Sequence, residues 1–216
     1  MNNAETGSLS SYVDDTIGNY QIEPARATSP KNFWPWHLPR KQLVRQNQWC
    51  EEIEKLLTDD LPDANLLRYF GLPGNDFLDL RCFHDKICVP RNIRLKFLGF
   101  NLAAKPGDAN NIDQNVSYDE IKRLEYIHFR SEVQWDDYRS LSREDSLATE
   151  SAKRHGPFDV INLDLCDGFA KQGAGVIEDS HYTALGQLLG IQARRPKPWL
   201  LFLTTRIGGV TFIARF

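Results

Sequence analysis

The segment that most constrains this chain is Phe158 to Leu165, FDVINLDL. Its apolar and β-branched residues run almost continuously instead of alternating, which suits a strand covered on both faces. A second such run, Trp199 to Thr204 (WLLFLT), follows an amphipathic helical stretch over Ser180 to Ala193. Strands covered on both sides belong to parallel sheets with helical crossovers. The chain from about Phe77 onward therefore reads as α/β with a mostly parallel sheet.

The same rhythm extends toward the N-terminus. Phe77 to Leu80 is the expected first strand and Ile93 to Phe100 the second, and Ile127 to Trp135 holds a short third. Ser117-x-x-Glu120 reads as a capping box opening a helix through Leu124 to Ile127. Asp136 to His155 reads as helix or helix plus loop. Ahead of the Gly71-Leu72-Pro73-Gly74 turn, Arg40 to Leu57 carries apolar residues at helical spacing, and Ala64 to Phe70 offers another helical turn or two. Residues 1 to 30 are polar and poor in aliphatics, the composition of a flexible tail. The expected organisation is thus a tail over 1–30, an arm and helix over 31–74, and an α/β domain over 75–216.

No apolar run is long enough to cross a bilayer, and Met1 to Ser10 lacks the pattern of a signal peptide, so a cytoplasmic protein is expected. Cys50, Cys82, Cys88 and Cys166 form no CxxC pair, which fits buried thiols in a reducing compartment. A net charge of -3 gives no global attraction for nucleic acid. Charge is segregated, however: Lys31, Arg40, Lys41 and Arg45 occur without an acid before Trp49. Phe33, Trp34, Trp36 and His37, followed by Arg40, Lys41 and Arg45, combine stacking faces with cations as single-stranded nucleic-acid binders do. They equally describe an arm that lays its aromatic side chains on the domain or on a partner protein, with its cations left in water. Docking is the preferred reading.

Three segments resemble one family. Phe77-Leu78-Asp79-Leu80-Arg81-Cys82 is similar to the first strand and turn, approximately LDLGCGTG, of class I S-adenosylmethionine-dependent methyltransferases. Leu98-Gly99-Phe100-Asn101 resembles that family's xGxD segment ending strand two, and Phe158 to Asp164 its fourth strand, FDVVxxD. The resemblance implies a three-layer Rossmann-like sheet, here with an N-terminal helical arm, and S-adenosylmethionine as cofactor. It puts Asp79, Arg81 and Asn101 at the cofactor, and Asp164 and Asp167 near the acceptor. On that alignment Arg81, Phe83 and Asp85 fall at glycine positions, where bulk would crowd the ligand. Asn101 stands where the family has a carboxylate. The family sheet usually ends in an antiparallel hairpin, whereas Ile207 to Phe216 has room for one strand. The expectation is then a truncated chain, or a sheet edge completed by a partner or a second copy.

Asn162-Leu163-Asp164-Leu165-Cys166-Asp167-Gly168 also loosely resembles the DLDPFGS stretch of tRNA guanosine dimethyltransferases. Asp164 and Asp167 would then hold an exocyclic amine or, in other chemistry, a divalent metal. The plainer reading is a strand-ending turn. Arg81 is placed either to neutralise Asp79 or to present a fork to a phosphate or carboxylate. Cys82, His84 and Cys88, with Cys50 or Cys166, suggest zinc only weakly, because C-x-H-x3-C is not a common ligand spacing. Three functions stay open: a methyltransferase-like protein acting on nucleic acid or a nucleotide-like substrate, an inactive Rossmann-like subunit that binds a partner protein, and a metal-dependent phosphoesterase or nuclease using Asp79, Asp164 and Asp167.

Overall fold

A computed structural model describes residues 39–102, 110–165, 180–205 and 211–215, with backbone alone at 110–113 and 211–215. Six strands form one sheet: β1 Leu66–Gly71, β2 Arg94–Phe100, β3 Glu132–Gln134, β4 Val160–Asp164, β5 Leu200–Thr204 and β6 Thr211–Arg215. Their order is β3-β2-β1-β4-β5-β6. The first five are parallel, and β6 runs antiparallel to β5. The chain winds outward from β1 to β3, then restarts on the other side of β1 at β4. This reversal makes a switch point between β1 and β4, the arrangement of a Rossmann-like sheet.

Helices cover both faces, giving three layers. One face carries α1, a run of four consecutive segments (Pro39–Val44, Arg45–Cys50, Glu51–Lys55 and Leu56–Asp60) in which the second and fourth are π turns. It also carries α2, which passes through Leu78–Phe83, His84–Cys88 and Val89–Arg91, and α3, Asn110–Lys122. Against the other face lie the 3-10 turn Tyr138–Ser142, α4 Leu147–His155 and α5 His181–Gln192. Ser146 and Ser180 cap α4 and α5 by accepting from the amides of Thr149 and Thr183.

Trp49, Ile53, Leu56 and Leu57 of α1 are buried with Leu67, Tyr69, Val160 and Phe202 of the sheet. Burying a large apolar side chain is worth about 1.5–3 kcal/mol, so α1 is anchored as a layer of the domain rather than hung from it. On the opposite face Phe70 packs on Phe100 and Phe158, with ring centroids 5.5 and 5.3 Å away.

The runs at Ile93 to Phe100, Phe158 to Leu165 and Trp199 to Thr204 are strands as expected, and β3 falls within Ile127 to Trp135. The first strand is a correction. β1 is Leu66–Gly71, where a helical turn was expected, and Phe77 to Leu80 instead opens α2. Leu80, Phe83 and Ile87 are fully buried at spacings of three and four, a helical period that the short FLDL run concealed. Residues before Gly74 thus supply a central strand, and α1 and β1 share one core with the rest of the sheet. Ser117 is not a cap either, because α3 begins at Asn110 and holds it mid-helix. The 1–30 tail and the aromatic residues Phe33 to His37 lie outside the described residues.

Candidate functional site

Along β1, β4 and β5, the side chains facing α1 turn from apolar to polar toward the carboxyl ends. Leu67, Val160 and Leu200 give way to Tyr69 and Asn162, then to Asp164 and Thr204, which sit opposite each other in register. Gly71 follows Tyr69 on that face, and a Cβ there would overlap the Tyr69 hydroxyl. Glycine at the end of β1 therefore lets the tyrosine lie flat over the strand.

Helices α1 and α2 bring charge to this row. Arg45 of α1, 3% exposed, is ion-paired through Nε to Asp79 of α2, 5% exposed. Lys41, one turn earlier on α1, donates to Oδ2 of Asp164. Burial raises the Asp79 carboxyl above its ordinary range, with Arg45 opposing and Asp164 reinforcing the shift. Burial likewise raises Tyr69, which Asp79 and Asp164 reinforce. The Asn162 amide lies close enough to the Tyr69 hydroxyl to favour its ionised form, but outside good hydrogen-bond geometry.

Six buried polar atoms here have no hydrogen-bond partner among the described residues: Trp49 Nε1, Tyr69 Oη, both amide atoms of Asn162, Asp164 Oδ1 and Thr204 Oγ1. Each such group costs about 1–3 kcal/mol when left unsatisfied. Six together would reach the order of a domain's whole stability, about 5–15 kcal/mol. A cluster of this kind is a place for a polar ligand or bridging water.

Beside it, the loop Leu72 to Phe77 connects β1 to α2 and, with the preceding Gly71, holds two glycines, Gly71 and Gly74. Phe77 has a left-handed backbone, φ 51, and its amide bonds the Gly74 carbonyl. Asn101, just past β2, donates through Nδ2 to the Pro73 carbonyl at 2.8 Å. A Cβ at Gly99 would come within 2.9 Å of the Pro73 ring, so glycine permits the loop to settle on β2. Arg81 fixes the other flank, donating to the Asp76 carbonyl at 3.2 Å and to Glu120 of α3 at 2.5 Å.

These positions correct several expectations. Arg81, Phe83 and Asp85 lie on α2 and not in the turn after the first strand, so they displace no glycines. Arg81 pairs with Glu120 rather than Asp79. Asp79 sits beneath α1 and is matched by Arg45. Arg45 is buried against Asp79, and the half-buried Lys41 is paired with Asp164, so neither is an arm cation left to solvent. Asp164 stands at the end of β4 beside the switch point and Asn101 at the end of β2, on the other side of β1, whereas Asp167 and Cys166 lie outside the described residues. The thiols of Cys50 and Cys82 touch at 3.6 Å, Cys88 is buried and its thiol pushed up to about 12 by desolvation, and no group of three metal-ligating side chains forms among the described residues. Lys41, Arg45, Tyr69 and Asn162 were missed as site residues. Their one sequence signal is a polar side chain inside an apolar strand, as at Tyr69 and Asn162.

A comparison of families matches residues 30–209 to the PP_RS20740-like family. The chain belongs to that family. The match covers β1 through β5, and so every residue of the cluster described above. No curated protein matches the chain. No described helix is long and apolar enough to cross a membrane.

Proposed function

We propose that this chain is a methyltransferase-like protein that binds S-adenosylmethionine at the carboxyl ends of β1 and β2 and presents an acceptor of nucleic-acid or nucleotide type to Asp164. The observation that carries this reading is the glycine-bearing Gly71 to Phe77 segment, held by Asn101 at the edge of β2, next to a buried polar row at the switch point. Ligands of open α/β sheets bind at that place. The residues that would hold the cofactor are the β1–α2 loop with Gly74, which brings no side chain of its own, and Asn101, whose amide adjoins that loop and would serve the ribose hydroxyls. The cofactor would supply an electrophilic methyl group.

The chain's part is to bind and orient the acceptor. Asp164 keeps Oδ1 as an acceptor for an exocyclic amine or hydroxyl while Lys41 holds Oδ2 in place. Tyr69, Asn162 and Thr204 offer further donors and acceptors beneath it. Incubation with S-adenosylmethionine labelled in its methyl group, together with nucleic acid, tests this. Label transferred by the native chain but not by Asp164→Ala supports it; no transfer to nucleic acids or nucleotides by folded chain overturns it.

A second reading is a non-catalytic subunit that binds a partner protein. The observation favouring it is that Nδ2 of Asn101 is taken up by the Pro73 carbonyl of the β1–α2 loop, with Pro73 seated on Gly99. Its mark would be no cofactor affinity together with a stoichiometric protein complex. The phosphoesterase reading gains no support, because Asp79 and Asp164 are each matched by a cation.

A further inference from the structure

The amino ends of the strands carry a different chemistry. Arg68 on β1 lies beside Lys96 on β2 in register, and Arg94 lies beside Leu66 one step earlier. Like charges on adjacent strands repel and are ordinarily avoided. Arg130, in the loop leading to β3, joins them. None of these four cations has a carboxylate in ion-pair contact among the described residues. The acids nearby are largely engaged: Glu132 bonds Arg154 at 2.9 Å, and Asp159 bonds Arg195 at 2.5 Å. Glu125 and Asp63 remain on the rim.

An aromatic platform stands among these cations. Phe129 is 72% exposed, the Arg130 guanidinium lies 5.4 Å from its ring centre, and His128 stacks on it at 4.6 Å and 27°. The platform is held in place from below. Lys122 donates to the Phe129 and Ser131 carbonyls at 2.8 and 2.6 Å, and His155 Nε2 lies 2.9 Å from the Arg130 carbonyl.

Two concavities of about 570 and 230 Å³ open here and share Asn65 and Leu66 as a wall. The larger is bordered by Arg94 and His128, the smaller by Arg68, Arg195 and Lys197. Together they run across the amino ends of β4, β1 and β2 toward β3, about 14 Å for three strand spacings of about 4.8 Å.

We propose that this groove, together with Lys96, Phe129 and Arg130 on the surface beside it, binds a single-stranded nucleic acid, with phosphates on Arg68, Arg94, Lys96 and Arg130 and a base stacked on Phe129. Mutual repulsion supports it: Lys96 is lowered by burial and by Arg68, Arg130 and Arg154, and His128 by burial and by Lys96, Arg94, Arg130 and Lys122. An acidic peptide would satisfy the cations but leave the stacked Phe129 face unused. A lipid surface would require more exposed apolar area than one phenylalanine. Flat rings interleaved with exposed cations suit bases interleaved with phosphates. The groove lies at the opposite end of the strands from the proposed cofactor site, so it stands or falls independently of that reading.

The test is fluorescence anisotropy of the full chain with labelled oligo-dT and oligo-U of about 12 nucleotides, within the range of single-strand sites, with labelled polyglutamate as a control. The proposal expects saturable binding that weakens as salt rises, since each phosphate neutralised adds about 0.7 to the log–log slope. Phe129→Ala should weaken it about tenfold. Arg94→Ala with Arg130→Ala should weaken it further and flatten the slope by about 1.4. Circular dichroism of each variant confirms the fold. No binding at low salt, binding unchanged by these variants, or equal affinity for polyglutamate would overturn it.

Discussion

The two ends of one sheet hold charge in opposite ways. At the carboxyl end, Arg45 and Asp79 are almost wholly buried and paired, and Lys41 meets Asp164. At the amino end, Arg68, Arg94, Lys96 and Arg130 stay partly or fully exposed beside one another, with no carboxylate in ion-pair contact among the described residues. Desolvation explains the contrast, because a charge taken from water must be matched, whereas one left in water can wait for an external partner. Buried pairing fixes α1 to the sheet, and the exposed cations are the surface proposed above to take phosphates.

The contrast is broken most forcefully at the buried pair. Asp79→Leu leaves Arg45 buried without its partner and should cost about 3–5 kcal/mol in urea unfolding. Adding Arg45→Met should recover most of that loss, because a well-packed apolar pair often replaces a buried ion pair at little cost. If the double variant is as unstable as the single one, the pair is not what fixes α1. Gly71→Ala comes next, at about 1–3 kcal/mol, because its Cβ must displace the edge of the Tyr69 ring together with the hydroxyl. The ring carbons Cζ and Cε1 lie within 2.6 Å of that Cβ as well, so Tyr69→Phe should not rescue Gly71→Ala, whereas partial recovery with the ringless Tyr69→Leu would identify the overlap as the cause.

A pH titration sharpens the same comparison. Burial holds Asp79 above its ordinary 3.8, so the folded chain binds that proton more tightly than the unfolded chain. The resulting stability is complete below 3.8 and is lost as pH rises through the raised value. Subtracting the Arg45→Met, Asp79→Leu curve from the native one should reveal this fall; a flat difference would mean the carboxyl is not shifted. The smallest effect belongs to the amino end. Arg94→Ala with Arg130→Ala should change stability by no more than about 0.5 kcal/mol in thermal melts, while removing repulsion among the exposed cations.

The sequence revealed layers better than register. FDVINLDL and WLLFLT are legible because strands buried on both faces need uninterrupted apolar residues, and α1 because its apolar residues recur at helical spacing. The first strand was not, since LLRYFG and FLDL are both short apolar runs flanking one turn, and periodicity alone does not separate them. That displacement moved the expected glycine loop onto α2 and made Arg81 and Phe83 look like obstructions. The ion pairs were hidden for another reason. Arg45 and Asp79 are 34 positions apart and Lys41 and Asp164 are 123 apart, so only the fold brings them together. Asp164 and Asn101 were legible because each ends a recognisable strand.

Titration calorimetry of the full chain with S-adenosylmethionine and with its demethylated product tests the central claim about the carboxyl end most directly. The account predicts saturable binding at one site, weakened at least tenfold by Asn101→Ala and left intact by Phe129→Ala at the opposite end. No heat from either ligand with folded chain, or binding lost with Phe129→Ala but retained with Asn101→Ala, would contradict it.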